Sequence, residues 1–194
     1  TITSDDGNAI LNPHRDDVTL TDLSAPVAGV QSLTGTYVTI SDVEPPTVAA
    51  PTEPTGTDFD YNVRTDNFGA VNAYYHQTEL FKTIESLGFP IATYFDGTTF
   101  PIPVDHRSLG NAINAHWSPN GAGGTGHMCY GLCDTTNTVD PLLRAVDPWV
   151  HWHEMGGHGT LGDHVGSGTF GFAHSAGDGL AAIQMDPESA LRGL

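Results

Sequence analysis

Two stretches of the chain concentrate side chains able to hold a metal ion and move a proton. They are His151-Trp-His153-Glu154-Met-Gly-Gly-His158 and Gly171-Phe-Ala-His174-Ser-Ala-Gly-Asp178. Two histidines flank a glutamate, and a third histidine is followed four residues later by an aspartate. A catalytic zinc site needs three protein ligands with a fourth position left for water. It also needs a carboxylate to take a proton and an acid behind one ligand to fix its ring. His153, His158 and His174 are therefore the candidate ligands and Glu154 the candidate general base. Asp178 is the candidate acceptor for the second ring N–H of a ligand, His153 first.

The spacing of the first pair sets a geometric condition. Residues i and i+4 stack on one helix face, whereas His153 and His158 are i and i+5. At about 100° per residue, a regular α-helix would turn these rings roughly 140° apart. A π-bulge absorbs one inserted residue, and such bulges recur at functional sites. Gly156 and Gly157 lack the Cβ that would resist the distortion. Each costs a helix about 1 kcal/mol relative to alanine, so their position beside the displaced histidine fits a required bulge.

Other assignments of the same residues stay open. If the segment were a strand, His151 and His153 would share a face and recruit a distant histidine. His164, six residues after His158, is the alternative third ligand. Asp178 equally fits a helix-capping or core hydrogen-bonding role.

Composition limits the partners. The formal charge is −17, from 23 acidic residues against 6 basic ones, with Lys82 the only lysine. Nucleic-acid phosphates and anionic membrane surfaces would be repelled. No apolar run approaches the length that spans a bilayer, so membrane insertion is not expected. The two cysteines, Cys129 and Cys133, are read as a small disulfide-closed loop of the kind found in oxidising compartments. Two free buried thiols are the alternative. A zinc role is disfavoured, because no second cysteine pair exists. Together with the lysine-poor, Thr- and Asp-rich composition, this predicts a processed, secreted, extracellular protein. Calcium binding by the many aspartates has no specific support.

The elements that must position these residues read as α+β. Residues 1–57 form a β-rich arm, with Asp17–Thr21 and Thr36–Ser41 as β-prone pieces and a Pro/Thr-rich linker over 45–57. A helix begins at a cap on Asp66 or Asn67 and carries Val71, Tyr74, Thr78, Phe81, Ile84 and Leu87 on one stripe. It stops at Gly88-Phe-Pro90. His76 lies off that stripe and is expected at the surface. Strands are expected at Ile91–Phe95, Thr99–Val104 and Asn114–Trp117. Ser118–Gly126 reads as a hairpin connection, since it lacks the lysine of a phosphate loop. Asp147-Pro148 caps and opens the motif helix. A last helix covers about 172–185, before Asp186-Pro187 breaks it.

From about residue 57 to 186 the chain resembles the catalytic core of thermolysin-like and fungalysin-like zinc peptidases, the gluzincins. The resemblance is carried by Phe59-Asp-Tyr with Val71–His76, by Asn114-Ala-His-Trp117, by His153-Glu154 through His158, and by Phe172–Ala182. It implies a zincin-like core over 58–194, with active-site helices and a small mixed sheet. One zinc ion per chain is implied, with a peptide or protein substrate paired to the backbone of Asn114 and Ala115 at an edge strand. Two departures stand out. His174 replaces the family's glutamate ligand, which would leave the ion more positive and more strongly Lewis acidic. The extra residue is similar to the His-Glu-x-x-Gly-His motif of dipeptidyl peptidase III. In the resembled enzymes a helical domain follows, so the chain is expected to be part of a larger enzyme or assembly. The alternative is a metal-stabilised, non-catalytic extracellular module.

Overall fold

The computed structural model describes residues 17–165, 172–186 and 188. The first sixteen residues of the expected arm, Gly171 of the second motif and Pro187, the expected helix breaker, lie outside them.

The fold is α+β. Strands β1 (Val30–Ser32) and β3 (Thr52–Pro54) pair antiparallel as a small ribbon. β2 (Val38–Ile40) leaves that ribbon and becomes an edge of a four-stranded mixed sheet. The other strands of that sheet are β4 (Ile102–Asp105), β5 (Ala115–Pro119) and β6 (Thr125–Tyr130), in the order β2-β4-β6-β5. Its three pairings are β2 to β4 and β4 to β6, both parallel, then β5 to β6, antiparallel. A parallel neighbour needs a long crossover, and helix α1 (Asp66–Ser86) supplies it between β2 and β4. The expected strand at Asp17–Thr21 does not form.

Thr65, one residue before the expected caps, closes the amino end of α1. Its Oγ1 accepts from the Phe68 N–H at 3.2 Å. Gly88, at φ 90°, ends the helix in the left-handed conformation that glycine tolerates. Ala70, Ala73, Tyr74, Leu80 and Phe81 of α1 pack on Val38, Ile102, Val104, Met128 and Tyr130 of the sheet. Phe81 stacks on Tyr37 and meets Phe95 and Phe100 edge-on at 5.4 and 5.3 Å.

Ile91–Phe95 corrects the strand expectation: Ile91–Tyr94 is one helical turn, α2, entered from Pro90, and Phe95 is its cap. The Tyr94 and Phe95 N–H groups are taken by the Pro90 and Ile91 carbonyls, so none is left for a ladder. His76 is corrected as well. It is enclosed against Tyr75 and His151, with ring centroids 5.1 and 5.3 Å away, and burial pushes it down to about 4.

Cys129 and Cys133 are both free thiols. Residues four apart in extended chain are about 13 Å apart, well beyond the roughly 4.4–6.8 Å that a disulfide spans. The Cys133 Sγ instead donates to the Leu143 carbonyl at 3.0 Å. Among the described residues, no helix is long and apolar enough to cross a membrane.

Candidate metal centre and cleft

Asp147 accepts from the Trp149 N–H at 3.0 Å and Pro148 occupies the first turn, so helix α3 (Pro148–His151) starts where the sequence predicts. It runs without a break into a π-helical segment, Trp152–Gly159, and on into α4 (Thr160–His164). In a π-helix the backbone bonds i to i+5, so the odd register of His153 and His158 becomes a facing one. Their ring centroids lie 5.3 Å apart. The distortion covers eight residues, more than the single bulge that the sequence suggests.

The same glycines serve a second purpose that the sequence did not reveal. A Cβ on Gly157 would lie 2.5 Å from the Gly177 Cα, and one on Gly177 would lie 2.5 Å from the His153 carbonyl oxygen. Helix α5 (Ala173–Met185) therefore lies directly on the π segment, backbone to backbone. That close approach carries His174 to the other two rings. The His174 Nδ1 is 3.1 Å from the His153 Nε2 and 3.2 Å from the His158 Nε2.

The three ring nitrogens converge on one point. The His153 Nδ1 is 2.9 Å from the Asp178 Oδ1. A carboxylate only accepts, so that nitrogen carries a proton, and in the neutral ring, the form that binds a metal, the His153 Nε2 presents a bare lone pair. The His174 Nδ1 has either one proton or one lone pair, yet two ring nitrogens converge on it. A cation at their meeting point satisfies all three. Two ligands about 2.0–2.1 Å from a tetrahedral ion stand roughly 3.3 Å apart, close to the separations seen. The donor set fits a borderline ion such as zinc.

Glu154 lies beside this point and is 8% exposed. Burial pushes its carboxyl up to about 7, opposed by the backbone N–H of Trp117, which donates to it. A group poised near neutrality can take and return a proton. Asp178, by contrast, is exposed, and among the described residues its contact to His153 holds it at the site.

The alternative ligands sit elsewhere. His151 is helical and buried, its Nε2 donating to the Ala145 carbonyl at 2.9 Å and its Nδ1 accepting from the Tyr130 hydroxyl at 2.8 Å. Burial holds it neutral, down to about 3. His164 is exposed at the end of α4, its ring against Tyr94 at 5.4 Å.

A cleft of about 700 Å³ opens over the triad, lined by Asn114, Ala115, Trp117, Glu154, His158 and His174 among others. β5 is an edge strand of the sheet. Of the two expected substrate contacts, the Asn114 carbonyl already accepts from the Gly131 N–H at 2.9 Å. Backbone groups alternate along an antiparallel edge, so those of Ala115 and Trp117 face the cleft. The Trp117 N–H is taken by Glu154, which leaves the backbone groups of Ala115 and the Trp117 carbonyl for an added strand. Of the backbone groups expected at Asn114 and Ala115, the Asn114 carbonyl is thus engaged within the sheet.

On the opposite face of the same strands lies a second convergence, of Glu44, His116, His127 and Cys129. One potential ligand atom from each falls within 4.8 Å of all the others. The sequence reading missed it. The available signal was His127-x-Cys129, whose alternation puts both side chains on one face of a strand, with His116 across the hairpin. Comparison of the chain with protein-family models and with curated proteins returned no match to either.

Proposed function

We propose that this chain is a zinc-dependent peptide hydrolase of the gluzincin kind, with His153, His158 and His174 as the ligands that would hold the ion. The observation that carries the reading is the convergence of three imidazole nitrogens beside a buried carboxylate, under an edge strand open to a cleft. When bound, zinc would supply a Lewis acid that acidifies water and polarises a carbonyl.

The remaining steps belong to the chain's own residues. An extended peptide would add to β5 through the backbone of Ala115, which sets its carbonyl over Glu154. Glu154 takes a proton from the attacking water as the new C–O bond forms. It returns that proton to the amine nitrogen as the C–N bond breaks. Asp178 holds the His153 ring in the tautomer that keeps Nε2 free. The strongly acidic composition and the lysine-poor surface support a secreted protein.

Glu154→Gln separates this reading from that of a non-catalytic metal module. The substitution keeps the shape but cannot accept a proton. Wild-type protein should hydrolyse an unstructured peptide substrate. The variant should keep its zinc at the triad, measured by elemental analysis, and lose at least about 10²-fold in turnover. Unchanged turnover would reassign the base. Zinc retained with no wild-type hydrolysis on any peptide would favour the module.

A further inference from the structure

We infer that Glu44, His116, His127 and Cys129 form a second, closed metal site for a zinc ion, separate from the triad and structural in role. Carboxylate, two imidazoles and a thiol make a four-ligand set, and structural zinc sites use four protein ligands where catalytic ones keep a position open.

Each ligand is held by the fold. His116 on β5 is the direct cross-strand partner of Cys129 on β6, and His127 lies two residues before Cys129. All three therefore project from the sheet face opposite to Ala115, Trp117, Met128 and Tyr130, which pack in the core. The Glu44 Oε1 lies 3.2 Å from the His116 Nε2 and 3.3 Å from the His127 Nε2. Those separations are again near the roughly 3.3 Å expected of two ligands on one tetrahedral ion. The two rings stand at 87° to one another with centroids 6.1 Å apart, so they approach the carboxylate from different sides.

The surroundings have the character of a supporting shell. The Ser118 Oγ is 3.3 Å from the His116 Nδ1, the nitrogen that faces away from Glu44. Asp105, fully buried at the end of β4, accepts from the Val43 and Glu44 N–H groups at 2.8 Å each and from the Arg107 N–H at 3.0 Å. A buried carboxylate thus fixes the loop that delivers Glu44. Cys129 is itself fully buried, while Glu44, His116 and His127 remain about one-third to one-quarter exposed, which leaves a route for the ion.

The site would tie the loop after β2 to the β5–β6 hairpin. β5 also carries Trp117, whose backbone N–H meets Glu154 at the strand's free edge. The ion would therefore brace the strand that borders the cleft without touching substrate.

Cobalt(II) titration of the full chain, freed of metal beforehand, tests this without reference to hydrolysis. Two equivalents should bind, and one should bring a near-ultraviolet thiolate-to-cobalt charge-transfer band, since the triad contains no sulfur. Cys129→Ser should remove that band and one equivalent. His116→Ala, at a position about one-third exposed, should remove the same equivalent if Cys129→Ser does not fold. His158→Ala should instead remove the other equivalent and leave the band. A wild-type protein that binds one equivalent without the band overturns the second site and leaves the triad standing. One equivalent with the band would overturn the triad alone.

Discussion

At the scale of single residues, the triad depends on proton placement more than on the number of histidines. A carboxylate behind His153 sets which ring nitrogen is bare, and that nitrogen is the one aimed at His174. Removing such an outer partner from a zinc histidine typically costs 10- to 100-fold in metal affinity. Asp178→Ala should weaken zinc binding by about that factor, read by competition with a chelating dye. His164→Ala should leave it unchanged, because His164 contacts Tyr94 and not the triad. An effect of His164→Ala equal to that of Asp178→Ala would remove the ring-orientation argument. The residues of this centre could be read from the sequence because ligand chemistry restricts the choice to few residue types. Glu44 could not, since it reaches its cluster from a loop 72 positions before His116 and no local spacing marks it.

At the scale of elements, the contact between the π segment and α5 decides whether the triad exists. A methyl group on Gly177 would lie 2.5 Å from the His153 carbonyl oxygen, so the helices must separate or strain. Overpacking of this kind costs about 1–3 kcal/mol, more than the roughly 1 kcal/mol that alanine gains over glycine in a helix. Gly179, two residues on, has no heavy atom of the described residues within 4 Å of an added Cβ. Gly177→Ala should therefore lower both thermal stability and zinc affinity. Gly179→Ala should raise stability by up to about 1 kcal/mol and leave affinity alone. Matching effects from the two substitutions, by thermal denaturation and zinc competition, would count against the close approach. The sequence exposed the register mismatch and the glycines that relieve it. It did not expose that Gly157 and Gly177 face each other across two elements. Nor did it identify Ile91–Tyr94 as a helical turn, because a short apolar run has no periodicity to separate the two states.

At the scale of the whole molecule, buried neutral histidines tie stability to pH. His106 is fully buried; that burial, together with the Arg107 charge and against the pull of Asp42, pushes it down to about 4. Among the described residues neither of its ring nitrogens has a hydrogen-bond partner, so Asp42 alone favours a charge there, and it does not outweigh the burial. The unfolded chain takes up this proton near the ordinary histidine value of about 6.5, whereas the folded chain resists until about pH 4. Protons then favour the unfolded state, and stability is lost as pH falls through that window. At pH 5 the loss from His106 alone is of order 2 kcal/mol, and His76, also pushed down to about 4, adds to it in the same direction. The net charge of −17 acts in the opposite sense, since neutralising carboxylates relieves self-repulsion, but most carboxylates titrate near pH 4. Glu154, pushed up to about 7, also adds stability as it takes up its proton in this range. His106, His76 and His151 together outweigh that one carboxyl, so the histidine effect should dominate between pH 6.5 and 5. His106→Gln, which cannot titrate, should flatten the fall in melting temperature over that range, whatever its stability at pH 7. Acid release of metal from the triad affects wild type and variant alike and cancels in the difference between their slopes. Parallel slopes would mean that His106 takes up its proton as readily in the folded chain as in the unfolded one, and the loss of stability in acid would then have to arise at His76, His151 or the metal ligands.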